Sequence, residues 1–240
     1  MTTTPSGWHG GSSKTIKYLT DSELVKFFEA VEANPNPVIR ARDSALFHLL
    51  LAYGLRCLEA KLLSVRDLNF KTNPPQIYVT RCKEKHWKKD PKTDRKVYIK
   101  KDRAGDWYDL SDANVARLVE WLEARESMPN TDYSGPLFCT RQGGTISTNQ
   151  INYITHQYAK AAGLEPAGRK LRKGQYIYPH QFRHSCAIRL ARKGLSAFDI
   201  MKWLGHVSVI STQVYCDMVG PERDALQRRA LRAIEGTAHD

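Results

Sequence analysis

The sequence predicts a mainly helical α+β fold, a helical bundle carrying a small antiparallel β-sheet. Two patterns predict it. Over most of the chain, apolar residues recur at i, i+3 and i+4, the spacing of a helix face. Between Asp67 and Leu110 that pattern gives way to short β-branched and aromatic runs bounded by Pro, Gly and Asp. A third observation sets the scale. The chain has 240 residues, of which 41% are hydrophobic, enough for one medium domain with a real core and too apolar for wholesale disorder.

The elements follow in order. Residues 1–19 are rich in Thr, Gly and Ser and read as a flexible N-terminal segment, leaving 20–240 as the folded domain. Thr20 or Asp21 caps a helix with Leu24, Phe27, Phe28 and Val31 on one face. Pro37 suits the first turn of a second helix, whose stripe is Ala45, Leu46, Leu49, Leu50 and Tyr53 and which Gly54 stops. A short helical segment runs from Cys57 to about Ser64. Three strands are expected, Gln76–Thr80, Lys96–Lys100 and Trp107–Leu110, with a long basic connection from Lys83 to Lys96 between the first two. Ser111 caps a helix buried through Val115, Leu118, Val119 and Leu122. After a loop over 127–146, Ser147 or Thr148 caps a helix running to about Ala162. A basic loop covers 163–175. Four short helices complete the chain, at 179–193, 197–204, 208–218 and 221–235, broken by Gly194, Gly205 and Gly220–Pro221.

Composition narrows the function. The 37 Lys and Arg against 25 Asp and Glu leave a formal net charge of +12, which favours a polyanionic partner. The longest apolar run, Ala45 to Leu55, is too short to span a membrane and contains His48, and residues 1–14 lack the apolar stretch of a secretory signal. The five cysteines are scattered with no C-x-x-C, which encodes neither a disulfide framework nor a zinc site. A soluble cytoplasmic protein is therefore expected.

Four stretches carry chemistry: Leu55-Arg56-Cys57-Leu58-Glu59, Pro179-His180-Gln181-Phe182-Arg183-His184, Leu204-Gly205-His206, and Tyr215, nine residues after His206. On a helix His180, Arg183 and His184 share a face near the N-terminus, where an anion is favoured. Arg56 follows a helix-ending Gly, with Glu59 one turn on to orient it. Two arginines, several histidines and a tyrosine suit phosphoryl transfer without metal. Guanidinium forks match the non-bridging oxygens of a phosphodiester, and a neutral His can take the tyrosine proton. Nearby cations should lower the tyrosine pKa. No acidic cluster suggests a two-metal site. Taken singly, each residue has an ordinary reading: Arg56 as a salt-bridged surface arginine, His206 as a helix-end cap, Tyr215 as a half-buried tyrosine. Their co-occurrence, in order, decides against those. His48 and His156 read as structural, and Trp87, Trp107, Trp121 and Trp203 as packing residues.

The run HQFRHSCAIRLARKGLSAFDIMKWLGHVSVISTQVYCDM resembles the C-terminal signature of the tyrosine recombinase (phage integrase) family, H-x-x-R-H, then L-G-H, then Tyr. YGLRCLEA resembles its first-arginine motif. The resemblance covers roughly residues 20–235. It implies a tyrosine-recombinase-like catalytic domain, and a site-specific recombinase or integrase that cleaves and rejoins DNA through a 3′-phosphotyrosine with no cofactor or metal. Carried over, Tyr215 is the nucleophile, Arg56, Arg183 and His206 hold the scissile phosphate, His180 accepts the proton, and Glu59 and His184 support. The catalytic lysine is Lys83 counting forward from Asp67 and Lys101 counting back from Leu110; Lys83 is favoured. Lys85, Lys88 and Lys89, with Arg169, Lys170, Arg172 and Lys173, are expected to grip DNA phosphates.

The implied partner is double-stranded DNA, held by a homotetramer that synapses two duplexes, with a second recombinase or accessory protein as a further candidate. In the 221–235 helix Leu226, Ala230 and Ile234 form a stripe that docks on a neighbour or on its own domain. Only about twenty residues precede the catalytic region, where most members carry a DNA-clamping domain. A short single-domain, mobile-element-type member is expected, or one whose clamp comes from another chain. The rival readings are a non-catalytic DNA-binding accessory protein and a DNA-relaxing topoisomerase of the same catalytic plan.

Overall fold

The computed structural model describes residues 17–81, 105–132, 134–165, 176–206, 208–220, 228 and 231–232, with the backbone of 87–89 and 96–98. Residues 1–16, the 166–175 stretch of the basic loop and the expected 221–235 helix, apart from its helical positions 228 and 231–232, lie outside that description.

Eight helices are described: α1 Asp21–Glu32, α2 Pro37–Tyr53, α3 Cys57–Leu62, α4 Asp112–Glu126, α5 Thr148–Ala161, α6 Pro179–Arg192, α7 Ala197–Leu204 and α8 Ile210–Met218. Local chemistry sets their starts. Thr20 and Glu23 form a reciprocal capping box at α1, Asn36 caps α2 with Pro37 in its first turn, and Ser111, Ser147 and Ser196 cap α4, α5 and α7. Gly54 and Gly205 end α2 and α7 in the left-handed conformation, at φ 56° and 63°.

Helix α2 is the spine. It packs against α4 on one side and α6 on another, with α1 alongside. It is therefore buried well beyond the one stripe expected, and even Arg42 and Asp43 are enclosed. They are satisfied by each other at 2.8 Å and by the Tyr158 hydroxyl, which donates to Asp43 Oδ2 at 2.8 Å. Phe27, Phe47, Phe182 and Tyr158 meet edge-on or tilted, 4.9–5.9 Å between centroids, in the middle of the core. Phe182 sits immediately before Arg183, so this cluster fixes the helix that presents the site. From the other end of the chain, Leu19 clasps α6. Its N–H donates to Ser185 Oγ and its carbonyl accepts from the same hydroxyl, both at 2.8 Å, between residues 166 apart in sequence.

The β-structure differs from expectation: Leu68–Asn69 adds an unexpected strand, and the Lys96 strand leaves the small sheet for a hairpin of its own. A three-stranded antiparallel sheet, order β1-β2-β5, joins β1 Leu68–Asn69, β2 Gln76–Thr80 and β5 Gly105–Asp109, with Thr80 opposite Gly105. The expected basic connection itself contains a strand. Trp87–Lys89 (β3) pairs with Lys96–Tyr98 (β4) as a separate antiparallel hairpin, Trp87 opposite Tyr98. A strand of three residues is too short to leave a periodic signal in the sequence. Two packing expectations also change. On α4, Val119 is exposed, while Trp121 is buried as a packing residue should be, donating its indole N–H to the Leu137 carbonyl at 2.9 Å. Trp107 lies half-exposed on the sheet.

Among the described residues, no helix is long and apolar enough to cross a membrane.

Candidate active site

Three helix ends converge where α2 stops. Gly54 turns the chain so that Arg56, Cys57 and Glu59 lie beside the buried face of α6, and Gly205 turns α7 so that His206 faces the same place. α8 brings Tyr215 from a third direction.

Arg183 lies at the centre and is fully buried. Its Nη1 donates to the Gly54 carbonyl at 2.5 Å and its Nη2 to the Leu204 carbonyl at 2.6 Å, tying the C-terminal ends of α2 and α7 together. Its Nε, also buried, has no partner. Burial, then the Arg56 charge, pulls this guanidinium down to about 10, still cationic at neutral pH. Glu59 gathers the positive charges. It accepts from Arg56 Nη1 at 2.7 Å and from the Arg56 N–H at 3.0 Å. It also accepts from Arg81 Nη1 at 3.1 Å and stands 3.8 Å from Arg183 Nη1. Arg56 itself is a third exposed, so this half of the cationic pair is open to a ligand.

Burial favours the neutral form of the three histidines of the site. Desolvation, followed by charges from His180 and Arg183, holds His184 down near 4. Desolvation with Arg183 and Arg56 holds His206 near 3, and the same causes depress His180. His184 Nδ1 lies 2.6 Å from the Tyr215 hydroxyl, within hydrogen-bond reach, the ring's tautomer setting which of the two donates. His180 packs edge-on against His184, 4.6 Å between centroids. The ring in contact with the tyrosine is therefore the expected supporting residue, and the expected acceptor is its neighbour. The reason is the α6 repeat, which sets His184 one turn deeper along the helix, under α8. His206 is held by Thr212, 2.8 Å from its Nδ1, and lies roughly parallel to the Tyr215 ring at 6.5 Å.

The electrostatic expectation for Tyr215 is corrected. The Arg183 charge does pull its pKa down, but burial outweighs it and the phenol is pushed up overall. A group only 3% exposed cannot ionise cheaply, so the hydroxyl needs a base in contact with it.

One residue escaped the sequence reading. Arg81 is buried beside Glu59 and also donates to the carbonyls of Tyr53 and Trp203. Its sequence signal is phase: Ile77 and Val79 point inward from β2, Arg81 keeps that alternation one residue past the strand's end, and a buried arginine demands an acid. Lys83, Lys85, Lys101, Arg169, Lys170, Arg172 and Lys173 lie outside the described residues. Lys88 and Lys89 belong to β3.

A model of the phage integrase family matches residues 17–219. Among curated proteins, type 1 fimbriae regulatory protein FimB of Escherichia coli (strain K12) is 28% identical over 203 residues, covering 85% of each chain. Tyrosine recombinase XerC of Shewanella amazonensis is 23% identical over 206 residues, 86% of this chain and 58% of its own. Among solved structures, the XerH site-specific recombinase in its post-cleavage complex with palindromic difH substrate superposes with a TM-score of 0.64 at 22% identity, covering 89% of this chain and 52% of that one. The Tn1549 transposon integrase with transposon right end DNA gives 0.65 at 16%, covering 85% and 62%. The chain thus spans most of FimB but little more than half of XerC and XerH. With eight described helices and a small antiparallel sheet in the arrangement of those catalytic domains, it belongs to the phage integrase family, the tyrosine recombinases.

Proposed function

We propose that the protein is a site-specific DNA recombinase that works through Tyr215. The observation that carries this reading is the contact between the Tyr215 hydroxyl and His184 Nδ1, 2.6 Å, beside the buried Arg183 and the Glu59–Arg56 pair. A nucleophile, its base and its cations stand in one place.

In this mechanism Arg56, Arg183 and His206 hold the non-bridging oxygens of one DNA phosphodiester, where negative charge grows as phosphorus is attacked. Tyr215 attacks phosphorus while its proton passes to neutral His184, with His180 next in line. The bond to the 5′ oxygen breaks, leaving a 3′-phosphotyrosine and a 5′-hydroxyl. The leaving oxygen takes its proton from Lys83, or from Lys101 if the hairpin delivers that lysine instead. Attack by the 5′-hydroxyl of a partner strand reverses the step, and the phosphotyrosyl ester conserves the bond, so no cofactor enters. The preceding phosphates are gripped by Lys85, Lys88 and Lys89 and by Arg169, Lys170, Arg172 and Lys173. The net charge supports that grip, which weakens steeply with salt. The working assembly is a tetramer on two duplexes in the cytoplasm, of the mobile-element type.

Nicked suicide duplexes, selected for covalent capture from a random-sequence pool, test the reading. Wild-type protein should give an SDS-resistant adduct mapping to Tyr215, and Tyr215→Phe should bind the same duplex without forming it. Tight binding by wild type with no adduct would leave a DNA-binding accessory protein. Relaxation of a plasmid lacking the selected site would instead favour a topoisomerase.

A further inference from the structure

Arg81 is a buried arginine that no motif accounts for. It is 4% exposed, yet each face of its guanidinium has a partner from a different part of the site. Nη1 donates to Glu59 Oε2 at 3.1 Å, the carboxylate that also holds Arg56. Nη2 donates to the Tyr53 carbonyl at 3.2 Å, at the end of α2, and to the Trp203 carbonyl in the last turn of α7. Nε donates to the Tyr108 hydroxyl at 3.2 Å. That hydroxyl in turn donates to the Trp203 carbonyl at 3.1 Å, and the guanidinium lies 4.9 Å from the Tyr108 ring centre. Orphan carbonyls at two helix ends are thereby satisfied by one side chain. The chain also makes room for it. A Cβ on Gly205 would come within 2.8 Å of Arg81 Cγ and 2.9 Å of Cδ, so a side chain there would collide with the stem of Arg81.

We infer that Arg81 is a positioning residue for strand cleavage, a strut between β2, Glu59 and the end of α7 that sets the distance between Arg56 and His206. This rests on the recombinase reading above. Arg81 touches neither nucleophile nor phosphate; it acts through Glu59 on Arg56 and through Trp203 and Gly205 on His206. Arg183 ties the same two helix ends from below. The site is therefore spanned twice, once by the residue that meets the phosphate and once by one that does not. A small shift in such a spacing costs far more in rate than in binding, because reacting groups must be held close to their productive geometry.

The test is single-turnover adduct formation at saturating suicide duplex, together with Kd for the same duplex. Arg81→Met should slow cleavage at least tenfold while Kd stays within threefold. Arg81→Lys, which keeps a charge and a donor for Glu59, should recover part of that loss. The inference is overturned if Arg81→Met cleaves within twofold of wild type. It is also overturned if rate and binding fall together with the folded fraction, or if Lys does no better than Met. Should Arg81→Met fail to fold, Tyr108→Phe decides. It removes only the hydroxyl bridging Arg81 and Trp203, and should slow cleavage three- to tenfold at unchanged Kd, a rate within twofold overturning the strut. An absent wild-type adduct would sink the recombinase reading itself, whereas a normal wild-type adduct with unaffected variants would sink only this inference.

Discussion

Replacing Gly54 by alanine probes the junction on which the site is built. Gly54 sits at φ 56°, and an added Cβ would fall 2.3 Å from Leu204 Cδ2, 3.4 Å from Arg183 Cγ and 3.5 Å from Cys186 Sγ. Two costs add. A non-glycine residue in the left-handed region costs about 1–2 kcal/mol, and forcing Leu204 aside in a close-packed core costs about 1–3 kcal/mol. Together, Gly54→Ala should lose about 2–5 kcal/mol, a large part of the roughly 5–15 kcal/mol typical of a domain. At a urea slope of about 2–3 kcal/mol/M, the midpoint falls by about 0.7–2.5 M. Gly194→Ala is the control. It too has a positive φ, 90°, but no atom lies within 4 Å of its added Cβ, so only the backbone cost of about 1–2 kcal/mol applies. Function separates them further. The carbonyls of Gly54 and Leu204 are the two acceptors of Arg183, and displacing both should slow adduct formation at least tenfold, while Gly194→Ala cleaves normally. Equal midpoints for the two variants would show that Leu204 yields freely and that the packing argument is wrong.

Three other outcomes follow from the same geometry. His184→Phe removes the acceptor beside Tyr215 at similar size; single-turnover cleavage should fall by about 10²-fold or more, and a rate within threefold of wild type would pass the acceptor's role to His180. Glu59→Gln leaves the Arg56, Arg81 and buried Arg183 charges without their shared carboxylate. Denaturant unfolding should show a loss of about 3–5 kcal/mol, and a loss under 1 kcal/mol would mean the cations are already compensated. Acid should also weaken the fold. His48 and His184 titrate near 4 and His206 near 3 when folded, against an ordinary 6.5, so below 6.5 the unfolded chain binds protons that the folded one refuses. Stability is therefore full above pH 6.5 and drains as pH falls toward 4, by at most about 1.4 kcal/mol per pH unit for each histidine, less where solvent reaches the ring. A urea midpoint unchanged between pH 7 and pH 5 would contradict the neutral histidines.

Much of this was legible because it is local. Thr20, Pro37, Ser111, Ser147 and Gly205 mark helix ends through their own hydrogen bonds or φ angles, and the spacing of His180, Arg183 and His184 puts three side chains on one face before any tertiary contact is known. What was not legible depends on neighbours. Whether Val119 or Trp121 faces inward is set by where α2 lies against α4. The Tyr215 pKa depends on how much water α8 leaves at the hydroxyl, a competition between burial and the Arg183 charge that spacing does not resolve. Arg81 was hidden by rarity: a charged residue in a buried phase is usually a reason to end a strand, and only the acid from α3, the ring of Tyr108 and two carbonyl groups make it tolerable there. Trp87–Lys89 was hidden by its shortness, three residues inside a lysine-rich run, too few for an alternation to register.

The clasp between Leu19 and Ser185 bears on how the chain acquires its structure. A contact closing a segment of 166 residues is among the most expensive in loop entropy. It forms only after α6 exists, and α6 follows α1 to α5 and the sheet in the chain. On a ribosome, α1 would wait, its Phe27 face unpaired with Phe182, until α6 has emerged. Arg183 finds its two carbonyls, and Tyr215 its histidine, only at that late stage. The candidate site therefore assembles as a single event, once α6 and α8 have joined the helices that precede the sheet, and the segments before α6 carry no part-built version of it.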